Sequence, residues 1–211
     1  MTPTTSPSSI AAPDEVLQFW FGAARPTDVQ ALQVQKQWFT KSDAFDTRIR
    51  ERFEATVQAA LRGDLPASWD DGVWGQLAQI VVLDQFTRNI YRGTPQAFAG
   101  DERALALALQ LCATGRDQEL PAVARTFVLL PLEHAESLPI QQQCVDAFAQ
   151  LLRDQSGAAD LRPYLANTSD YAQRHLDVIA KFGRFPHRNA ILGRTSTPQE
   201  REYLAQPGSG F

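Results

Sequence analysis

Between Ser42 and Gly63 the residues Phe45, Ile49, Phe53, Val57 and Leu61 recur at every fourth position. A helix gathers such a series on one face. A strand would put Thr47, Glu51 and Ala55 on that same face, where polar and small residues would break it. Ser42 can accept a hydrogen bond from one of the free N–H groups of the first turn, and Gly63 can take the left-handed conformation that closes a helix.

The rest of the chain reads the same way. Pro13 suits the first position of a helix over DEVLQFWFG, and a second is predicted over Thr27 to Phe39. A fourth starts near Asp70 and carries on toward Tyr91. Asp101 is expected to cap the Ala/Leu-rich run that Gly115 stops. Further helices are predicted from Pro121 to Pro131, after Ser137, and from Thr168 or Ser169 to Gly183. Thr197-Pro198-Gln199-Glu200 is a capping box, with a hydroxyl at the cap and a carboxylate at the third position. No convincing alternating strand is present. The spacing predicts an all-α fold of about nine helices joined by short loops, one helical domain over residues 13–206. A Ser/Thr/Pro-rich disordered lead-in of residues 1–12 precedes it, and a frayed tail of residues 207–211 follows.

The net charge of −4 argues against nucleic acid as a partner, since counterion displacement needs a broad positive surface. No apolar run approaches a membrane span, and the N-terminus lacks the basic start and apolar stretch of a signal peptide. Cys112 and Cys144 both fall on apolar helical faces and are expected to be buried thiols, so a cytoplasmic location is expected. The cations are lopsided, with seventeen Arg against three Lys. Arg is favoured where a planar fork must meet a carboxylate or phosphate.

Three stretches carry candidate chemistry. Asp84, Arg88 and Arg92 follow one another by helical steps, with Tyr91 beside them. There they form either a pocket wall or a salt-bridge ladder. In Leu130 to Ser137, Glu133, His134 and Glu136 follow Pro131, and a histidine beside carboxylates can act as acid, base or ligand. Between Asp177 and Glu200 there is no acid, yet Lys181, Arg184, His187, Arg188 and Arg194 are present. Gly183 and Pro186 make that segment non-helical, so Arg184, His187, Arg188 and Asn189 form either an anion trap or a structural corner. His175 lies on the helix that runs into it. The spacing of the three His fits no zinc motif, and no glycine-rich phosphate loop or dinucleotide fingerprint occurs, so no metal or cofactor is expected.

The stretches VLQFWFG, LDQFTRNIYRGTPQAFAGD, LLPLEHAES and FGRFPHRNAILGRTSTPQE resemble a bacterial domain-of-unknown-function family, the one numbered nine hundred and twenty-four. The resemblance implies an all-helical fold related to tetratricopeptide superhelices and no established activity. The family usually has Pro where this chain has Thr87, which implies a less kinked helix here.

Three functions follow from these residues. The first is a pocket for a small anionic ligand or a carboxylate- or phosphate-bearing peptide, lined by Arg88, Tyr91, Arg92, Arg184, Arg188 and Asn189. The second is an enzyme using His134 or His187 as acid or base, with Asp84 or Glu136 as orienter. The third is a set of motifs that lock helices together.

Overall fold

A computed structural model describes residues 9–155 and 157–210. Most of the lead-in, residues 1–8, falls outside the described residues, as do position 156 and Phe211. Among the described residues the regular structure is helical throughout, with no strand. They divide into two compact units, one of residues 9–92 and 96–131, the other of Gly93–Pro95 and residues 132–210.

In the first unit, α1 (Pro13–Phe21) brings Phe19, Trp20 and Phe21 to an aromatic core. The expected second helix is broken into α2 (Asp28–Gln33) and α3 (Lys36–Phe39), and Trp38 of α3 donates its indole N–H to the Trp20 carbonyl at 2.8 Å. Then α4 (Asp43–Arg62) buries Phe45, Ile49, Phe53 and Val57, with Ser42 capping Phe45 N–H and Gly63 left-handed at φ 83°. Trp20, Phe53, Phe86 and Phe127 are all fully buried, each worth about 2–3 kcal/mol of apolar transfer.

The helix expected from Asp70 is present but not uniform. It runs as α5 (Gly72–Ile80), a π-helical segment (Val81–Phe86) and α6 (Thr87–Ile90). The wider turn carries the buried Asp84. Thr87 donates its hydroxyl to the Leu83 carbonyl at 2.7 Å. Gly100 backs onto the same carbonyl so closely that a Cβ there would lie 2.1 Å from it. Next come α7 (Asp101–Thr114), closed by a left-handed Gly115, and α8 (Ala122–Glu133), which keeps Pro131 inside its last turn. Asp101 is the first residue of its helix and not a cap; its carboxylate is taken by Arg88.

The second unit begins within α8 and contains α9 (Leu138–Asp154), α10 (Arg162–Phe182) and α11 (Pro198–Leu204), with α9 and α10 packed along one another. Ser137 precedes α9 without a side-chain capping bond. The expected start of α10 is corrected: it begins at Arg162, and Thr168 lies buried inside it, its hydroxyl donated to the Leu165 carbonyl. Gly183 ends α10 at φ 70°, as expected. Cys144 is buried, Cys112 is only half-buried, and the two are not joined in a disulfide. No helix among the described residues is long and apolar enough to cross a membrane.

Candidate functional site

The candidate residues fall into two sets, one in each unit. Those of the first unit are engaged by their neighbours. Arg88 lies 3.0 Å from the Asp84 carboxylate and donates two hydrogen bonds to Asp101, of 2.8 and 3.0 Å. It also donates to the Asp84 backbone carbonyl and sits over the Phe98 ring. The Asp84–Arg88 pairing within one helix is therefore present, extended to a second carboxylate. Arg92 turns to Asp46 at 2.9 and 3.1 Å, where Asn89 also donates at 2.7 Å. The Tyr91 hydroxyl accepts from Gln58. These bonds tie the segment after the π-helix to α4 and α7.

A cleft of about 330 Å³ also lies in this unit, lined by Gly63, Leu65, Asp70, Gln79, Arg103 and Gln110 among others, and it contains none of the expected residues. Arg103 spends one nitrogen on the Ala60 and Leu61 carbonyls at the end of α4.

In the second unit the chain's three histidines come together. The rings of His134 and His175 have centroids 6.3 Å apart, His175 meets the Phe185 edge at 5.4 Å, and Phe185 lies 5.6 Å from His187. Arg188 is 7% exposed and stacks over Phe185 at 4.5 Å. His175 stands on the buried stripe of α10 with Ala172 and Ile179, so the helix delivers it beneath the corner that follows Gly183.

Burial pushes both inner imidazoles toward the neutral form. His175 falls to about 3, and the His134, Arg188 and His187 charges add to the effect of burial. His187 falls to about 4, again chiefly by burial, with Arg188 next to it. The His175 Nδ1 is 2.8 Å from the Tyr171 carbonyl, which can only accept, so this nitrogen carries the proton. A Glu133 carboxylate oxygen lies 3.3 Å from the same nitrogen. With the imidazole neutral, that contact is a polar one and not an ion pair. Gln141 donates to the carbonyls of Glu133 and Ala135, fixing the backbone that carries His134.

The remaining cations of the corner are taken up by carboxylates. Arg184 holds Glu200 at 2.6 and 2.8 Å, and Glu200 completes the capping box by accepting from Thr197 N–H at 2.7 Å. Hydrogen bonding from Arg184 is the first cause that holds the Glu200 carboxyl down at about 2. Arg194 grips Glu136 at 2.6 and 2.9 Å, and the Phe185 N–H donates to Glu136 at 2.8 Å. Burial pushes the Glu136 carboxyl up, but the bonds from Arg194 and Phe185 outweigh it and leave it below the usual range. Asn189 is buried and donates to Ser196 at 3.1 Å.

Arg184 and Asn189, expected as ligand contacts, thus brace the corner, while His134, His187, Arg188 and Glu136 lie in one neighbourhood. His175, Arg194 and Glu200 complete it. The signal for His175 was its place on the helix that runs directly into the basic corner. Among the described residues no group of three or more His, Cys, Asp or Glu could hold a metal ion.

Residues 16–208 match the family described as "Bacterial protein of unknown function (DUF924)". A solved structure of a protein of unknown function from Agrobacterium tumefaciens is similar at 34% identity and a TM-score of 0.75, covering 92% of this chain and 96% of that one. No curated protein matches the chain.

Proposed function

The chain belongs to this bacterial family of unknown function, and from that premise we propose that its second unit carries a pocket for a small anionic ligand or a peptide bearing a carboxylate or phosphate. The observation that supports this reading is the gathering of all three histidines of the chain around Arg188 and Phe185. In this reading Arg188 supplies charge, His134 and His187 supply hydrogen bonds, and the Arg184–Glu200 and Arg194–Glu136 pairs hold the walls rigid. Charge-assisted bonds of this kind are strong when preorganised. Two cysteines that form no disulfide suit a reducing compartment, and we propose a cytoplasmic location.

A second reading, an enzyme with His187 or His134 as general base and Glu136 as orienter, rests on the same gathering of side chains.

Sulfate, whose charge does not change near neutrality, tests the pocket by thermal shift. The expected result is a rise in Tm that grows with sulfate concentration and is smaller than the parent's in both Arg188→Gln and His187→Asn. An equal rise in both variants would place the anion elsewhere and sink the reading. Turnover of any anionic metabolite that stabilises the fold would favour the enzyme.

A further inference from the structure

The first unit holds a pair of cations that its ion pairs do not account for. Phe19 of α1 is half-buried and stacks on Phe45 at 5.4 Å, with Phe53 edge-on at 5.1 Å. Over this platform lie two exposed guanidiniums of α4. Arg48 is 5.8 Å from the Phe19 centroid and 5.3 Å from Phe45; Arg52 is 5.0 Å from Phe19 and 5.1 Å from Phe53. Both share the Phe19 ring, and they stand one helical turn apart, about 6 Å between Cβ atoms.

Most arginines of the chain are otherwise engaged. Arg25 meets Asp14, Arg92 meets Asp46, Arg125 meets Asp117, and Arg50 donates to the Ile90 carbonyl. Among the described residues Arg48 and Arg52 have neither a carboxylate partner nor a hydrogen bond. Like charges at i, i+4 repel, and the faces of three aromatic rings offset part of that. Both arginines are exposed, so their N–H donors are within reach of a ligand from solvent. Contact with the rings removes part of the rotamer freedom that a ligand would otherwise have to quench.

We propose that Arg48 and Arg52, held on the Phe19–Phe45–Phe53 platform, form a binding site for a phosphate group. Two adjacent forks match a tetrahedral dianion, which would neutralise both charges and accept from each through separate oxygens. This site is independent of the histidine cluster and shares no residue with it.

Inorganic phosphate is the probe, and the Nε–Hε signals of arginine in the full chain are the readout. Arg48 and Arg52 should shift saturably together. Arg162, exposed and with no side-chain hydrogen bond or ion pair among the described residues, serves as the control and should not saturate. The Phe19→Leu variant keeps the charge and most of the volume, and should weaken binding roughly threefold or more, the size of an exposed cation–π contribution. Should that variant fold poorly, Arg52→Lys keeps the charge without the fork and should weaken binding by a similar factor. Shifts at Arg48 and Arg52 that track Arg162, or affinity unchanged in a folded Phe19→Leu or in Arg52→Lys, would overturn the proposal. Persistence of the shifts in Arg188→Gln is expected, and their loss there would also overturn it.

Discussion

Arg184 and Glu200 face each other through two parallel hydrogen bonds, and the same carboxylate closes the capping box of α11. One side chain therefore joins the basic corner to the start of the last helix. Because the folded Glu200 carboxyl titrates at about 2, below its ordinary value of 4.5, the unfolded chain binds more protons in between. Its contribution to stability is complete above pH 4.5 and is lost as the pH falls toward 2. Acid unfolding of Glu200→Gln should show a flatter pH dependence across that window than the parent chain, as followed by far-UV circular dichroism.

His175 and His187 act in a higher window. Both are depressed below 6.5, to about 3 and about 4, so protonation favours the unfolded chain. Stability should rise with pH from about 4 to about 6.5 and level off above it. In a proton NMR titration the His187 ring should still be neutral at pH 6, and His187→Asn should remove part of the slope. A His187 that titrates near 6.5 would contradict the burial described for it.

How much of this could be read from residue types varies along the chain. The α4 stripe, the glycine stops at Gly63, Gly115 and Gly183 and the Thr197 box were legible because each is a local rule carried by adjacent residues. The π-helix was not. Val81 to Phe86 are ordinary helix-compatible residues, and the shift in hydrogen-bond register shows only once Gly100 and Thr87 meet the Leu83 carbonyl. The early start of α10 was hidden by Asn167, Thr168 and Ser169, which resemble a cap until Thr168 is seen bonded to Leu165 inside the helix. In the candidate site, charge pattern picked out the basic corner. It did not tell the arginines that brace it from the one that stacks, because the partner acids Glu136 and Glu200 are 58 and 16 residues away from theirs.

Arg88 sits between the buried carboxylate of Asp84 and that of Asp101. Removing it leaves Asp84, which is fully buried, without its cation. Arg88→Ala should cost about 3 kcal/mol or more in urea unfolding, whereas Asp101→Asn should cost about 1–2 kcal/mol, since Asp101 remains partly hydrated. Equal losses would mean that the pairing with Asp84 adds nothing of its own.

Gly100→Ala should be among the most damaging single-methyl additions in the chain. Its Cβ would meet the Leu83 carbonyl oxygen at 2.1 Å, backbone against backbone, where no side chain can swing aside. A loss of about 2–4 kcal/mol is expected, comparable to Gly75→Ala, whose Cβ would lie 2.4 Å from the Trp69 carbonyl.

The π-helix gives the first unit a sensitivity to length that no substitution reveals. Its wider turn accommodates an extra residue relative to an α-helix, so everything after it is rotated by about 100° from where plain α geometry would place it. Deleting one residue between Val81 and Phe86 would restore a regular helix and turn Arg88 and Arg92 away from Asp101 and Asp46 together. The segment thus works as a phase adjuster between two hydrophobic registers. Relatives that keep those two ion pairs are expected to keep the spacing here even where the residues themselves change.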